Sequence, residues 1–580
     1  MSVFDPAVLF DDTSGHGASY RFSGRTATLT AWQPDRVVPL LEAVERLVSH
    51  GRYAAGFISY EAAAALSPHL PSETPCPGLP LAWFALFERR HEVLQPAVSP
   101  EPTEPPLLQP AVSPERYYAD LEAIRQLIAC GDCYQANYTF PARGRLAGEP
   151  LPFYRALALS QQAPYCAFID TGGQQVLSAS PELFFRTSGR RIETRPMKGT
   201  GERGRHPEED CERARSLLND PKERAENLMI VDLLRNDLGM IAEHGSVRVE
   251  SLFDVESFPT VNQLTSRISA RLRQDIGLVG ILRALFPCGS VTGAPKRRAM
   301  EILAEREQRP RGVYCGAIGT LAPGDEMVFS VAIRTVIHNR RSGSIELGVG
   351  SGITWDSDPA AELRECHAKT AFALRQPPGA GLIESLRLEG GCYPLLEAHL
   401  DRLGWSAGRL GIAFDRHAAR SVLQRHAAGL AGVCKVRLVL QPTGALEVSA
   451  ETVLPDEAPL QVAISSCPVD PQEPGLYLKR TDRSRYERIR AEHPACDEVL
   501  MINTRGELTE GTYHNLVLRL AGRLVTPPLS SGLLPGVMRG NLLKEGIVSE
   551  RVLTPSDLAA AQEMWLINAV RGWRKCTYGT

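Results

Sequence analysis

The segment KERAENLMIVDLLRND, residues 222–237, places two glutamates three positions apart near the start of a run with helical periodicity. On a helix, residues three positions apart lie on the same face. Glu223 and Glu226 are therefore expected to lie side by side. The sequence predicts a helix here that presents a pair of carboxylates.

A second segment, PAAELRECHAKT (359–370), repeats this arrangement with Glu362 and Glu365. Four carboxylates converging from two helices would repel one another unless they shared a hard cation such as Mg²⁺, which prefers oxygen ligands. Alternatively, both pairs belong to solvated helix faces, where charged runs usually lie. The basic neighbours that could then pair with them are Lys222, Arg224 and Arg364. Residue spacing alone leaves both interpretations open.

Between these helices, GSVTGAPKRRAM (Gly289–Met300) has a glycine-rich turn before a predicted helix that opens at Pro295. The spacing fails the phosphate-loop pattern. Free backbone N–H groups at such a turn could still hold a carboxylate. A tight turn without any ligand is the alternative.

The chain has 580 residues, too many for one hydrophobic core, and its composition is that of an ordinary soluble globular protein. A proline-rich stretch at about 94–114 predicts a surface excursion, and LRQPPGAG supplies a linker at 374–380. We therefore expect domains at 1–373 and 381–580. Within the second, IESLRL, KVRLVLQ, EVLMIN and NLVLRL predict strands, and 396–410 predicts a helix.

Charge and cysteine usage narrow the function classes. A formal net charge of −3 without a long basic run gives no reason to expect nucleic acid as a partner. No secretory signal and no membrane-length apolar stretch is evident. Thirteen cysteines without framework spacing suit a reducing compartment, so a cytoplasmic location is expected.

Several motifs in the first domain resemble those of the chorismate-utilising enzymes, and among them the aminodeoxychorismate synthase component I family. They occur in that family's order over about residues 50–372. These motifs are GDCYQANYT (131–139), SASPELFF (178–185), RPMKGT (195–200), AENLMIVDLLRNDLG (225–239), GSVTGAPKRRAMEIL, YCGAIG (314–319), IRT (333–335) and GVGSGITWDSDPAAELRE (348–365). The resemblance implies a two-layered β-sandwich with helices that binds chorismate.

The resemblance also implies how the substrate is held. Glu226 and Glu365 would bind Mg²⁺ directly, and Glu223 and Glu362 would act largely through water. The ion would hold the ring carboxylate of chorismate. Arg334 and the backbone around Gly350 and Gly352 would receive the pyruvyl carboxylate. Supporting positions would be taken by Tyr314, Thr292 and Lys369.

Lys198, in the PMKGT motif, is the residue that selects the reaction. Anthranilate synthases carry alanine at the matching position. The resemblance implies that Lys198 attacks ring C2 and is later displaced by ammonia at C4, which requires a depressed amine pKa. Glu182 would protonate the departing hydroxyl. Relatives that form isochorismate or salicylate have, at the position of Gln135, a lysine that acts as the base for attack by water. Many relatives have a histidine at the position of Gln263.

The ammonia source is expected to lie on another chain. No segment resembles a cysteine nucleophile elbow with a downstream His-x-Glu pair. A glutamine amidotransferase subunit is therefore implied as a partner.

The second domain resembles the fold-type IV enzymes that use pyridoxal 5′-phosphate (PLP), and most closely the aminodeoxychorismate lyase family. The motifs that carry this resemblance are HLDRL (399–403), LYLKRTDRSRY (476–486), GELTEGTYHNLVL (506–518) and LVTPPLSSGLLPGVMRG (524–540). It implies an α/β domain in which Lys479 carries PLP and acts as the base, while Glu510 bonds the pyridine nitrogen. Arg402 and the backbone N–H groups of Val537 and Met538 would hold the phosphate. A homodimer is also implied.

Together, the two resemblances predict a bifunctional enzyme that makes 4-aminobenzoate from chorismate by way of 4-amino-4-deoxychorismate. One alternative is an anthranilate-type or isochorismate-type enzyme fused to an aminotransferase. Lys198 and Gln135 count against it, and so does Met538, which stands where branched-chain aminotransferases have a threonine. A second alternative is a non-catalytic scaffold for the amidotransferase, which the full set of site residues disfavours.

Overall fold

The structure is a computed structural model that describes residues 5, 7–14, 17–71, 74–93, 105–374, 379–454 and 458–578. Most of the predicted proline-rich excursion and most of the predicted linker lie outside these residues. Within the described part of the chain, no helix is long and apolar enough to span a bilayer. All thirteen cysteines are free thiols.

The chain divides into two compact units. The first comprises Met1–Glu202 and Ala214–Pro377, and the second comprises Arg203–Arg213 and Pro378–Thr580. The sequence pattern predicted one change of domain, near 374–380. It did not predict that a short earlier segment groups with the second unit.

Helices occur in both units, and the predicted ones are present. Their bounds are α1 (Val37–Ser49), α2 (Ala63–Leu66), α3 (Pro114–Ala129), α4 (Pro150–Gln161), α5 (Pro207–Asn219), α6 (Pro221–Gly239), α7 (Leu278–Leu285), α8 (Lys296–Glu307), α9 (Pro359–Thr370), α10 (Leu396–Leu410), α11 (Arg416–Ala427), α12 (Ser484–Arg490), α13 (Val537–Lys544) and α14 (Pro555–Ala560). Helix α8 begins at Lys296, one residue later than expected, because Pro295 has an extended backbone.

The first unit is built on antiparallel strands. They are β1 (Val8–Asp11), β2 (Ser19–Ala31), β3 (Tyr53–Ile58), β4 (Ala82–Val93), β5 (Gln109–Pro110), β6 (Gln135–Arg145), β7 (Tyr165–Asp170), β8 (Gln174–Ser180), β9 (Leu183–Ser188), β10 (Arg191–Arg195), β11 (Met197–Glu202), β12 (Arg248–Ser257), β13 (Val261–Arg271), β14 (Gly293–Ala294), β15 (Ala317–Ala322), β16 (Glu326–Val331), β17 (Thr335–Asn339) and β18 (Ser344–Ile353).

These strands pair in one continuous series. The order is β13–β10–β9–β16–β15–β3–β4–β2–β1–β7–β8–β17–β18–β6. Strand β4 is buried on both faces: Trp83 and Phe87 pack with side chains of β1, β7 and β8, while Phe84 and Leu86 pack in the core that includes α1, α6 and α7. The predicted two-layered β-sandwich with helices is confirmed.

The fold brings the predicted motifs to the β6 end of this series. Strand β6 pairs with β18 on one side and with β14, in the glycine-rich turn, on the other. Helix α6 packs on β11 and β13, and helix α9 packs on β18. The two helices that carry glutamate pairs thus pack on strands that carry other site residues.

The second unit has two sheets, and their strands are β19 (Leu382–Leu388), β20 (Cys434–Leu440), β21 (Leu446–Thr452), β22 (Leu460–Ile464), β23 (Glu498–Ile502), β24 (Leu508–Gly511), β25 (Asn515–Leu520), β26 (Arg523–Thr526), β27 (Ser549–Glu550), β28 (Glu563–Asn568) and β29 (Gly572–Tyr578). The first sheet is β19–β20–β21, and helices α10 and α11 pack on one of its faces. In the second, the pairings β22–β23–β24–β25–β28–β29–β22 close a ring of strands. This mixed α/β unit confirms the expected fold class.

Candidate functional sites

Lys198 lies on β11 and directs its amine at β6, where Nζ donates to Oδ1 of Asn137 at 3.0 Å. The backbone of Lys198 is held from α6, because Nδ2 of Asn227 donates to its carbonyl oxygen at 3.3 Å. Burial lowers the pKa of the Lys198 amine. The charge of Lys369 lowers it further, against the opposing effect of Glu226. The neutral, nucleophilic form is thereby favoured.

A stripe of glycines on β18 forms a wall beside this amine. Gly348, Gly350 and Gly352 alternate along the strand and therefore share one face, and they are partly exposed, whereas the residues between them are buried. A methyl group built on Gly352 would lie 3.0 Å from Nζ of Lys198 and 2.5 Å from Nε2 of Gln135. On Gly348 it would meet the ring of Tyr314 at 2.2 Å. Because the stripe carries no side chains, Lys198, Gln135 and Tyr314 can lie close against the strand.

Polar groups without partners face this part of the fold. Both amide atoms of Gln135, Nδ2 of Asn137 and Oε1 of Glu182 are buried without a hydrogen bond to any described residue. A buried polar group that lacks a partner costs about 1–3 kcal/mol, so such groups usually have one. Three such side chains around one lysine indicate a site for a polar ligand.

Glu182 follows β8 and lies next to the lysine strand. Its carboxylate accepts from the backbone N–H of Met197 and from the hydroxyl of Ser290, in the glycine-rich turn. Burial raises the pKa of Glu182 to about 7, although these bonds and Lys198 oppose the shift. A carboxyl group that is partly protonated near neutral pH suits a general acid.

The residues expected to hold the pyruvyl carboxylate lie on other elements of the same unit. The guanidinium of Arg334 donates to Oε1 of Gln161, and burial lowers its pKa to about 10. Thr292 is fully buried, and its hydroxyl donates to the carbonyl oxygen of Cys288 at 3.1 Å. The structure brings Tyr314 against the glycine stripe. Lys369 donates to the carbonyl oxygen of Gly350 at 3.0 Å.

The four predicted metal ligands lie on α6 and α9 as expected from the sequence. Burial, and then the charge of Glu226, raises the pKa of Glu223 to about 7. The pKa of Glu226 is also raised, by burial and by Glu362 and Glu365 on the other helix. The two carboxylate pairs are therefore electrostatically coupled.

Two of these carboxylates already have partners within the protein. Glu362 accepts from the hydroxyl of Ser357 at 2.8 Å, and Glu365 pairs with Lys369 at 2.7 Å. Despite its burial, the charge of Lys369 holds the pKa of Glu365 below its usual value. Among the residues that the structure describes, no three His, Cys, Asp or Glu side chains lie at metal-binding spacing. The donor set nevertheless fits a hard cation in its chemistry, because all four side chains offer carboxylate oxygens and neighbouring carboxylates raise the pKa of Glu223 and Glu226.

Two other features of this unit bear on the site. Gln263 lies on β13 opposite Thr200, and its Nε2 donates to Oγ1 of Thr200 at 3.1 Å, two residues from Lys198. Arg311, which the sequence did not single out, is buried and donates to the carbonyl oxygens of Asn137 and Val291 at 2.9 Å each. Arg311 thus ties β6 to the glycine-rich turn.

In the second unit, a cavity of about 530 Å³ contains all the residues predicted to bind PLP. Its lining includes Lys479, Glu510, Arg402, Val537 and Met538. Burial, and then the charge of Arg402, lowers the pKa of Lys479 to about 7. Burial raises the pKa of Glu510 to about 8, although its Oε1 accepts from the N–H of Leu534 at 3.0 Å.

Arg402 is held in place by a carboxylate that the sequence did not reveal. Glu384, on β19, accepts from Nε of Arg402 at 2.9 Å and from its Nη2 at 2.6 Å, and its other neighbour is Nδ1 of His399 at 2.6 Å. These partners overcome burial and lower the pKa of Glu384 to about 2. Nη1 of Arg402 donates to the carbonyl oxygen of Pro535, just before α13.

The residues of this cavity fit PLP. The first N–H groups of α13, at Val537 and Met538, have no acceptor within their own helix and suit a phosphate beside Arg402. A protonated pyridine nitrogen would place a positive charge directly beside the buried carboxylate of Glu510. The neutral amine of Lys479 would be ready to bond a carbonyl carbon.

Comparison with known proteins agrees with this division of the chain. Residues 5–375 match the family model of the chorismate binding enzymes, and residues 381–577 match that of the class IV amino-transferases. The aminodeoxychorismate synthase component 1 of Klebsiella aerogenes is 44% identical over 262 residues, which are 45% of this chain and 58% of that protein. The aminodeoxychorismate synthase of Streptomyces griseus is 39% identical over 339 residues, 57% of this chain and 43% of that protein.

Among solved structures, anthranilate synthase component I from Streptococcus pneumoniae TIGR4 superposes with a TM-score of 0.55 at 27% identity. The match covers 65% of this chain and 94% of that one. The chain spans about half the length of the curated relatives it matches.

Proposed function

The chain belongs to the chorismate binding enzyme family, with a class IV aminotransferase-like domain after it, and from this premise we propose that it converts chorismate into 4-aminobenzoate in two steps. The first domain would exchange the C4 hydroxyl for an amine. The second would remove pyruvate from the product. The observation that carries the proposal is the depressed-pKa amine of Lys198 beside the glycine stripe and the unpartnered Gln135.

In the first step, neutral Lys198 attacks C2 of chorismate while the C4 hydroxyl leaves as water with a proton from Glu182. Ammonia then attacks C4, and the bond between C2 and Lys198 breaks. One ammonia is gained and one water lost, which gives 4-amino-4-deoxychorismate. Asn137 supports this role because it fixes the direction of the amine.

Magnesium would be held by Glu226 and Glu365, with Glu223 and Glu362 acting largely through bound water. There it would supply positive charge to anchor the ring carboxylate of chorismate. The raised pKa values of Glu223 and Glu226 support this assignment, because a cation would relieve the repulsion from neighbouring carboxylates. Arg334 and the backbone at Gly350–Gly352 would receive the pyruvyl carboxylate.

In the second step, PLP would supply an electron sink for the carbon that bears the amine. Lys479 would anchor the cofactor and remove the proton from C4, for which a pKa of about 7 is suited. Glu510 would hold a proton on the pyridine nitrogen. The enolpyruvyl group then leaves from C3 as pyruvate, and the ring becomes aromatic.

We further propose a glutamine amidotransferase subunit as the ammonia donor. The name "component 1" of the K. aerogenes relative supports it. A homodimer formed through the second domain and a cytoplasmic location stay predictions.

The two-step function is tested by product analysis. Protein incubated with chorismate, Mg²⁺, PLP and an ammonium salt is expected to yield 4-aminobenzoate and pyruvate, which chromatography and mass spectrometry identify. The ortho isomer, anthranilate, would contradict the assignment of the first domain, and so would salicylate.

A control separates the two steps. Removing Mg²⁺ with a chelator should stop conversion of chorismate but leave the conversion of supplied 4-amino-4-deoxychorismate unchanged. An equal loss of both activities would count against two independent sites.

The role of Glu182 predicts a pH dependence. Because only its protonated form donates, the rate of the first step should fall above about pH 7, when measured at constant free ammonia. Glu182→Gln should lose about 10²–10⁴-fold in rate and also lose this alkaline fall. Glu193→Gln, on the neighbouring strand β10, is the matched control and should keep both the rate and the profile. A Glu182→Gln profile that still falls above pH 7 would exclude Glu182 as the acid.

A further inference from the structure

The cavity of the second unit has more positive charge than PLP requires. Besides Lys479 and Arg402, its lining contains the basic side chains of Lys435, Arg437, Arg483 and Arg571, but only two carboxylates, those of Glu487 and Glu510. PLP would use Glu510 for its nitrogen and Arg402 for its phosphate. The remaining basic residues face a single further carboxylate, that of Glu487.

Two of these basic residues are already engaged. Lys435 pairs with Glu451 at 2.7 Å. Arg483 donates to the carbonyl oxygen of Thr512, and its guanidinium lies over the rings of Tyr486 and Tyr513, 4.2 and 4.8 Å from their centroids. These contacts fix both side chains within the protein.

Arg437 is different. It is exposed, and its guanidinium makes no hydrogen bond or ion pair with any residue in the described ranges. Its side chain also lines an adjoining cavity of about 360 Å³ that contains Glu447, but that carboxylate accepts from Gln441 at 2.9 Å. Arg571 donates from Nη1 to the carbonyl oxygen of Leu454 at 3.2 Å, the one hydrogen bond of its side chain to the described part of the chain.

The sheet explains why Arg437 faces the cavity. Arg437 lies on β20 opposite Ser385 of β19, and Ser385 also lines the cavity. Val436 and Leu438, the neighbours of Arg437 along β20, point to the other face of the sheet, into the core with α10 and α11. The edge of β19 away from β20 lies beside the segment that contains Lys479, because the N–H of Ile383 donates to the carbonyl oxygen of Lys479 at 2.8 Å.

Two strand spacings therefore separate Lys479 from Arg437. Neighbouring strands lie about 4.8 Å apart and each residue adds about 3.3 Å along a strand, so two spacings and the two-residue offset from Ile383 to Ser385 put the two backbones about 12 Å apart. The ring of a 4-aminocyclohexadiene carboxylate carries its amine and its carboxylate at opposite ends. With its amine at Lys479, the carboxylate of such a ring extends towards the arginine.

We propose that Arg437, assisted by Arg571, binds the substrate carboxylate that lies across the ring from the amine and thereby makes the second domain selective for dicarboxylate ring amines. This inference rests on the proposed lyase function and assigns its specificity. Two guanidinium groups together match the single carboxylate that lies across the ring from the amine of 4-amino-4-deoxychorismate. An amino acid with an apolar side chain has no carboxylate at that distance from its amine, so neither arginine would contact one.

The test uses the full chain loaded with PLP and supplied with 4-amino-4-deoxychorismate. Arg437→Gln should raise KM about 10- to 100-fold, the range expected for loss of a charged hydrogen bond, while kcat changes by less than about threefold. Arg571→Gln should raise KM less. Arg523→Gln, an exposed arginine on β26 outside the cavity, should leave KM unchanged.

A second measurement does not depend on turnover of the variant site. Chorismate is a dicarboxylate without the amine, and without Mg²⁺ and ammonia it should act only as a competitive inhibitor of the lyase reaction. Its inhibition constant should rise in Arg437→Gln in parallel with KM, while the visible spectrum of bound PLP stays the same.

The outcomes are distinct. If the unaltered protein converts the intermediate but Arg437→Gln keeps its KM and its chorismate inhibition constant, the carboxylate assignment is overturned and the lyase function stands. If the unaltered protein does not convert the intermediate at all, the proposed function and this inference fall together.

Discussion

Replacing Lys198 with alanine is expected to reduce the formation of 4-amino-4-deoxychorismate by more than about 1,000-fold, because loss of a nucleophile removes the covalent route. The fold should survive, since Lys198 is only partly buried and its side chain makes one hydrogen bond, to Asn137. The measurement is the rate of chorismate consumption with excess ammonium salt and Mg²⁺.

Lys222→Ala is the matched control for this experiment. Lys222 is exposed on α6, close to the glutamate pair, and its loss should change the rate by only a few-fold. Conversion of supplied 4-amino-4-deoxychorismate should be normal in both variants. Full synthase activity in Lys198→Ala would refute a covalent role for this amine.

Replacing Lys479 with alanine should stop the second step and let 4-amino-4-deoxychorismate accumulate. Lys479 is both anchor and base in the proposed mechanism, so its loss should remove at least about 10³-fold in rate and also the visible absorbance of lysine-bound PLP. The measurement is the amount of intermediate and of 4-aminobenzoate formed from chorismate, read together with the absorption spectrum.

Lys435→Ala provides the comparison, because Lys435 lines the same cavity but pairs with Glu451. That variant should keep the absorbance. Continued production of 4-aminobenzoate by Lys479→Ala would show that another group is the base.

Most helices and strands could be predicted from the sequence, because periodicity and capping residues are visible within each segment itself. Helix α6 follows from periodicity and begins after Asp220, whose side chain caps it. Strands β19 and β20 follow from their apolar alternation, and α10 has the predicted bounds. The motif order then identified Lys198 and Lys479.

The side chains that hold these lysines and their partners could not be predicted in this way. Asn137 lies 61 residues before Lys198, and Glu384 lies 18 before Arg402, so each pairing depends on which strands become neighbours. One contact was visible in the sequence: Glu365 and Lys369 are four apart on α9, a spacing at which opposite charges pair.

The two faces of strand β18 have different surroundings: one face packs in hydrophobic cores, and the other carries the glycine stripe beside the proposed site of the first domain. The opposite face of this strand, with Leu347 and Val349, supports two cores, whereas the glycine face lies against Tyr314, Gln135 and Lys198. A variant with alanine at position 352 would keep those cores but intrude on Lys198 and Gln135. The three glycines therefore set how closely other residues approach this strand: a side chain at position 350 would meet the backbone of Tyr138, and one at position 348 would meet the ring of Tyr314.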